Sequence, residues 1–88
     1  MIAKITKKNI KTPYDNDTVA AYHLQLRPKW KGTEYIIIVK ANSNIFGKYT
    51  MIMKSNADGH NTTSNGQKTY DGHLSIRKTL EKINYKLL

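Results

Sequence analysis

Cysteine is absent from the 88-residue chain, and proline occurs only twice. Without cysteine, neither a disulfide framework nor a thiolate metal site can form, and small secreted domains usually depend on such cross-links. The chain also lacks an apolar run of the roughly 20 residues that a membrane-spanning helix requires, and its N-terminus lacks the apolar segment of a signal peptide. The sequence therefore predicts one small cytoplasmic domain, residues 1–88, that is not embedded in a membrane.

Acidic residues are scarce: 6 Asp and Glu stand against 15 Lys and Arg, which gives a formal net charge of +9. On so small a domain this excess produces a positive potential over much of the surface. Polyanions, and nucleic acids first among them, are the expected partners, although surplus lysine also keeps small proteins soluble. A chain of this length buries a small core, so no cofactor is expected.

The first half of the chain alternates apolar and polar residues, as strands do. Residues 2–6 (IAKIT) predict a short edge strand, and residues 18–27 predict a half-buried strand that ends at Pro28. Residues 34–55 (EYIIIVKANSNIFGKYTMIMKS) predict two antiparallel strands joined by the turn-forming residues 42–47. The sequence thus predicts strands through most of its first 55 residues.

Lysines interrupt this hairpin at places where a buried strand would carry none. The predicted core-facing residues are Tyr35, Ile37, Val39, Tyr49, Met51 and Met53, and the reverse face then presents Ile36, Ile38 and Ile52 flanked by Lys40, Lys48 and Lys54. Lysines near strand ends can reach into water while their stems lie on apolar surface. The reverse face is therefore interpreted as a partner surface or a homodimer contact. Lysines that prevent strand-to-strand aggregation are the alternative interpretation.

The C-terminal third predicts a turn-rich segment followed by a helix. Turn signals at Asp58-Gly59 and Asn65-Gly66 fit either a second hairpin, with strands HNTTS and QKTY, or a loop. Asp71 is the predicted N-cap, and one apolar stripe follows at helical spacing: Ile76, Leu80, Ile83 and Leu87. The predicted fold class is α+β, an antiparallel sheet of three to four strands packed by one C-terminal helix.

Basic and aromatic residues cluster where the second and third predicted strands meet. Phosphate contacts need Lys and Arg, and base stacking needs aromatic rings beside them. The predicted binding residues for a nucleic acid or another partner are Arg27, Lys29, Trp30, Lys31, Lys40, Lys48 and Lys54. The alternative for Trp30 is a lid on the edge of the core. Sequence-tolerant binding of DNA or RNA is the function that this pattern favours.

Two echoing tripeptides, Asp58-Gly59-His60 and Asp71-Gly72-His73, offer ligand types for a metal. Their spacing matches no established metal signature, and Asp-Gly is first of all turn chemistry, so no metal site is predicted. A small basic nuclease would use a histidine with Arg or Lys beside it, and the chain has such residues: His23, His60, His73, Arg27 and Lys68. Residue types alone do not establish catalysis, so the protein is not predicted to be an enzyme.

Residues 47–88, with YTMIMKSNADG, a polar turn and TYDGHLSIRKTLEKI, resemble the end of the YegP-like small domains, in which a strand, a turn and a tyrosine precede a capped helix. The same half is similar to the end of HicA-type messenger-RNA-cleaving toxins, which have a double-stranded-RNA-binding fold. Both resemblances imply strands followed by a helix, and the YegP-like family lends no settled function. The toxins' N-terminal helix has no counterpart here, and Gly47-Lys48-Tyr49 replaces their catalytic Gly-Ser-His, so their activity is not implied.

A protein-binding module is the rival class. Heavy use of Lys, Asn, Ile and Tyr is typical of an AT-rich coding sequence and indicates a bacteriophage, a mobile element or an AT-rich bacterium. A phage inhibitor of a host or defence protein, of anti-CRISPR or anti-restriction type, would use the same positive charge against an acidic or nucleic-acid-binding partner.

Overall fold

The computed structural model describes residues 1–10, 17–60 and 68–88. In chain order the elements are β1 (Ile2–Lys8), β2 (Thr18–Trp30), β3 (Thr33–Ser43), β4 (Gly47–Ser55), β5 (Lys68–Asp71), α1 (Ile76–Glu81) and β6 (Lys86–Leu87). They build a six-stranded sheet in the order β5-β4-β3-β2-β1-β6, in which only β1 and β6 pair in parallel. The predicted α+β fold is therefore wrong. The described residues are mostly β and form a mixed, curled sheet with one helix of 6 residues.

Two tight turns set the register of the central strands. Lys31 and Gly32 join β2 to β3 with φ angles of 48° and 79°, the left-handed values that a two-residue type I′ turn requires. Residues 44–46 join β3 to β4, and Gly47 has a φ of 73° where β4 begins. The Ser43 hydroxyl accepts hydrogen bonds from the backbone N–H groups of Ile45 and Phe46, both at 3.1 Å. These local interactions fix the tip of the β3–β4 hairpin.

The predicted ends of the first two strands are wrong. β2 does not stop at Pro28 but continues to Trp30, with a shift in its register against β3. β1 is not an edge strand, because β6 lies on its outer side: the Lys86 N–H donates to Met1 O and the Leu88 N–H donates to Ala3 O, both at 2.9 Å. The sheet is thus wider than the periodicity indicated.

The helix is shorter than predicted and begins later. Ser75, not Asp71, is its N-cap, and the Ser75 hydroxyl accepts from the Lys78 N–H at 3.1 Å. Asn84, with a φ of 65°, then turns the chain out of the helix, and the Tyr85 N–H donates to Leu80 O at 2.9 Å. The apolar stripe is consequently shared between a short helix and β6. No helix in the described ranges is long and apolar enough to cross a lipid bilayer.

The helix packs on the face of the sheet that was predicted to be open. This helix-side core contains Ala3, Leu24, Leu26, Ile36, Ile38, Ile52, Leu80, Ile83 and Tyr85. Ile36, Ile38 and Ile52 are each 0% exposed, so the predicted apolar interface formed by these isoleucines is not available to a partner. Their prediction as an exposed face is wrong, because the short helix and the following residues cover them.

The opposite face carries a second core. It contains Ala21, Ile37, Val39, Ala41, Met51 and Met53, with Ile10 and Tyr49 packed against it. Strands buried on both faces have continuous apolar runs instead of alternation, and this explains the unbroken sequence from Ile36 to Val39. The prediction that this hairpin has one buried and one open face is therefore wrong. The predicted Asn65-Gly66 turn lies outside the described residues.

Candidate functional site

The predicted binding residues do not share one surface. Arg27 lies on the face opposite the helix, because it alternates with Leu26 of the helix-side core. Lys29 and Lys31 are exposed at the β2–β3 turn. The remaining three lysines lie on the helix side, since each pairs with one of its buried isoleucines or stands an even number of residues from one on the same strand: Lys40, Lys48 and Lys54. The grouping predicted from sequence therefore falls into three parts.

Trp30 packs against the helix-side core and is only half exposed. The Lys31 ammonium lies 5.4 Å from the centroid of the indole ring, within the range of a cation–π interaction. The indole ring is thus packed against the core, and the Lys31 ammonium lies over the ring. This arrangement is that of a lid on the core edge and leaves Trp30 poorly placed to stack on a base.

Basic side chains do converge elsewhere, on three neighbouring strands at the β6 edge. Ile2 of β1 pairs with Arg27 of β2 on one side and with Lys86 of β6 on the other. Lys4 pairs with Gln25 in the next row of the same face. A depression of about 190 Å³, here named the basic groove, is lined by Ile2, Lys4, Gln25, Arg27 and Leu88.

The basic groove combines charge with a fixed polar group. Lys4 and Arg27 line the groove, Lys86 stands beside it as the partner of Ile2, and all three are exposed. Gln25 is half buried, and its amide donates to a Glu34 carboxylate oxygen at 2.6 Å. That hydrogen bond orients the Gln25 amide and places one acidic group at the margin of three cations. The groove therefore remains positively charged, and its Arg and Lys donors suit phosphate oxygens.

The three histidines have different environments. His23 is buried at 1% exposure, its Nε2 donates to Asn56 O at 2.9 Å and its Nδ1 contacts the Thr6 hydroxyl. His73 is exposed and donates through Nε2 to Ala41 O at 2.7 Å, and His60 is exposed in the turn after β4. With both ring nitrogens engaged, His23 serves packing and offers no free nitrogen to a substrate. In the described part of the chain, no three His, Asp or Glu side chains group closely enough to hold a metal ion.

Sequence reasoning missed a second open feature, at the tip of the β3–β4 hairpin. Ile45 and Phe46 are 84% and 81% exposed. A depression of about 420 Å³, here named the tip groove, is lined by Phe46, Tyr49, Thr69 and Asp71. The sequence signal for this feature is that two large apolar residues, Ile45 and Phe46, occupy a turn, where Asn, Gly, Asp and Ser are usual. The signal for the basic groove was weaker, because strand pairing alone brings Lys4 and Lys86 together.

In the described part of the chain, these features define a small basic β-sheet protein, with the basic groove and the tip groove at opposite edges of one sheet. No protein-family model, no curated protein and no solved structure matches the chain. The geometry of the basic groove and the tip groove is therefore the basis for inferring a function.

Proposed function

We propose that the protein binds nucleic acid and that the basic groove contacts its phosphates. One observation carries this proposal: Arg27 and Lys86 flank Ile2 in a single row across three strands, with Lys4 in the next row. Neighbouring strands lie about 4.8 Å apart, so long side chains in such rows can reach successive phosphates. The net charge of +9 adds a long-range attraction for any polyanion.

The chemistry of the lining suits a nucleic-acid strand. The Arg27 guanidinium can pair with a phosphate through two parallel hydrogen bonds, and the two lysines supply mobile point charges. Ile2 is 39% exposed between Arg27 and Lys86, and it provides an apolar contact for a sugar or a base. None of these contacts reads a base edge, so binding through the basic groove is expected to be tolerant of sequence.

Binding of a short fluorescent oligodeoxythymidylate, measured by anisotropy over a range of salt concentrations, tests the proposal. The triple variant Lys4→Gln, Arg27→Gln and Lys86→Gln is expected to reduce the slope of log K against log salt by about 2, since each contact to a single strand contributes about 0.7. The matched control is Lys8→Gln, Arg77→Gln and Lys78→Gln. It removes the same charge from exposed positions on the helix side.

Equal slopes in the two triple variants would show that net charge alone is responsible and would overturn the assignment of the groove. No binding of the wild-type protein at low salt would overturn nucleic-acid binding itself. An acidic protein surface would then be the ligand to test, because the same charges would recognise it.

A further inference from the structure

The tip of the β3–β4 hairpin holds an aromatic ring in water on a rigid support. Burying Phe46 would remove a large apolar area from solvent, yet 81% of the residue is exposed. The backbone beneath it is fixed, because the Ser43 hydroxyl accepts from the N–H groups of both tip residues, Ile45 and Phe46. Because this backbone is already fixed, a ligand that stacks on the ring restricts only the side-chain torsions of Phe46.

The tip groove beside this ring joins aromatic and polar groups. Phe46 and Tyr49 supply rings, Thr69 supplies a hydroxyl, and Asp71 supplies a carboxylate that is exposed to solvent. Tyr49 and Asp71 are direct cross-strand partners on β4 and β5, so their side chains lie on the same face of the sheet. The volume of about 420 Å³ is within the range of small-molecule sites.

We propose that the tip groove binds one unpaired guanine base of a single-stranded nucleic acid. The proposal rests on the nucleic-acid binding proposed above and adds a base preference to it. Phe46 stacks on the base, and the Asp71 carboxylate accepts hydrogen bonds from its Watson–Crick edge. In a duplex that edge is paired with cytosine, so the groove selects single strands.

The preference for guanine follows from the acceptor chemistry of Asp71. An ionised carboxylate has two acceptor oxygens and no donor. Guanine presents two adjacent donors, N1–H and the N2 amine, which match those two oxygens. Adenine and cytosine each place an acceptor nitrogen next to their amine, and thymine has one N–H between two carbonyl groups. An acceptor facing a carboxylate is left unpaired and repelled, so those bases are disfavoured.

The surroundings allow a charged strand to approach the tip groove. Lys48 of β4 and Lys68 of β5 are exposed at this edge of the sheet, with their side chains on its helix side, since Lys68 pairs with Ile52 and Lys48 lies four residues before it. The basic groove is on the same sheet face as the tip groove, at the opposite edge, since Tyr49 packs on the core opposite the helix and Arg27 also points away from the helix-side core. The two grooves therefore lie on the same side of the sheet, separated by the buried core that contains Ile37, Val39 and Met53.

Anisotropy titrations with three labelled ten-residue oligodeoxythymidylates test the base preference: one unsubstituted, one with a single central guanine, and one with hypoxanthine there, which lacks the N2 amine. The guanine oligonucleotide is expected to bind about tenfold more tightly than the other two, and its duplex form is expected to lose this advantage. Asp71→Asn should abolish the preference while it slightly strengthens binding of the unsubstituted oligonucleotide, because it removes a negative charge. These opposite changes separate base recognition from general electrostatics.

Phe46→Ala supplies a second variant, with Ile45→Ala as its matched control. Phe46→Ala is expected to weaken binding of the guanine oligonucleotide about tenfold, whereas Ile45→Ala, which is equally exposed but does not line the groove, leaves it unchanged. Salt-dependent binding with equal affinity for all three oligonucleotides would overturn the guanine site and leave the proposed function standing. No binding of any oligonucleotide at low salt would overturn both.

Discussion

The imidazole ring of His23 stacks on the phenol ring of Tyr35, with 5.2 Å between their centroids and 13° between their planes. The same imidazole donates through Nε2 to Asn56 O at 2.9 Å, so one buried side chain joins β2 to β3 and to the turn after β4. A carbonyl oxygen only accepts, and Nε2 therefore carries a hydrogen. The Nδ1 atom contacts the Thr6 hydroxyl, which donates to the backbone oxygen of His23 at 3.0 Å and so adds β1 to the contact.

Replacing His23 is expected to destabilise the fold more than replacing either other histidine. His23→Ala removes a buried, stacked ring and one of the hydrogen bonds to Asn56 O, which keeps the Ser55 hydroxyl and the Gly59 N–H as donors. We expect a loss of about 2–4 kcal/mol in the free energy of unfolding, chiefly from the cavity that the ring leaves. His73→Ala, at an exposed position with one hydrogen bond to Ala41 O, should cost about 1 kcal/mol or less. Urea denaturation followed by circular dichroism measures both. Equal losses would contradict the structural role assigned to His23.

Burial on both faces of the sheet gives a second prediction, for two neighbouring residues of β3. Ile37 and Ile38 point to opposite faces, and both are buried, at 1% and 0% exposure. Ile37→Ala and Ile38→Ala should each lower the free energy of unfolding by about 2–5 kcal/mol. Val19→Ala, at 63% exposure, is the control and should change it by about 0.5 kcal/mol or less. If Ile38→Ala left the free energy of unfolding unchanged, Ile38 would not be buried, and the predicted open isoleucine face would be correct.

The start of the helix gives a third prediction. Ser75→Ala removes the hydroxyl that accepts from the Lys78 N–H, and loss of an N-cap costs about 1 kcal/mol. Asp71→Ala, at the position first predicted to be the cap, should cost less, because Asp71 lies in β5. Thermal unfolding of the two variants against the wild type separates them. A larger loss in Asp71→Ala than in Ser75→Ala would place the cap at residue 71.

The environments of two tyrosines give a prediction for how the free energy of unfolding changes at alkaline pH. Burial raises the pKa of both Tyr70 and Tyr85 above the ordinary value of 10.0, because a buried phenolate is poorly solvated. The folded state therefore keeps these phenols protonated where the unfolded chain already ionises. Their contribution to stability is present below pH 10 and is lost as the pH rises through the folded-state values.

The free energy of unfolding is measured from pH 8 to pH 11 for the wild type and for the double variant that combines Tyr70→Phe with Tyr85→Phe. The double variant should show a shallower decline above pH 10, while lysine deprotonation affects both proteins alike. At pH 8 it should be less stable by about 1 kcal/mol, since the Tyr85 hydroxyl donates to Pro28 O in the wild type. Parallel curves above pH 10 would show that these phenols do not control the alkaline transition.

Sequence periodicity identified the central strands but not how they are buried. The alternation in residues 18–27 and 34–55 is present as β2, β3 and β4, and the helical stripe does contribute Leu80 and Ile83 to a core. Alternation assigns residues to two faces without stating which face is covered, and in this sheet both are. The extension of β2 past Pro28 and the pairing of β6 with β1 depend on tertiary contacts, which local propensity does not report.

The candidate site was less predictable than the fold. Lys29, Trp30 and Lys31 are close in sequence, but a turn and a packed indole make them a poor joint surface. Lys4, Arg27 and Lys86 are far apart in sequence and meet only through strand pairing. Single-sequence reasoning favours residues that are neighbours along the chain. A surface assembled from three strands cannot be predicted until the register of those strands is known.

The parallel pairing of β6 with β1 has a consequence for the rate of folding. It joins Ile2 and Ala3 to Lys86 and Leu87, residues from opposite ends of the described chain. Closing so long a loop costs entropy before any contact compensates for it, and proteins rich in such distant contacts collapse to the native state in milliseconds to seconds, not microseconds. The row of Arg27, Ile2 and Lys86, which spans β2, β1 and β6, therefore forms only once that distant pairing has closed.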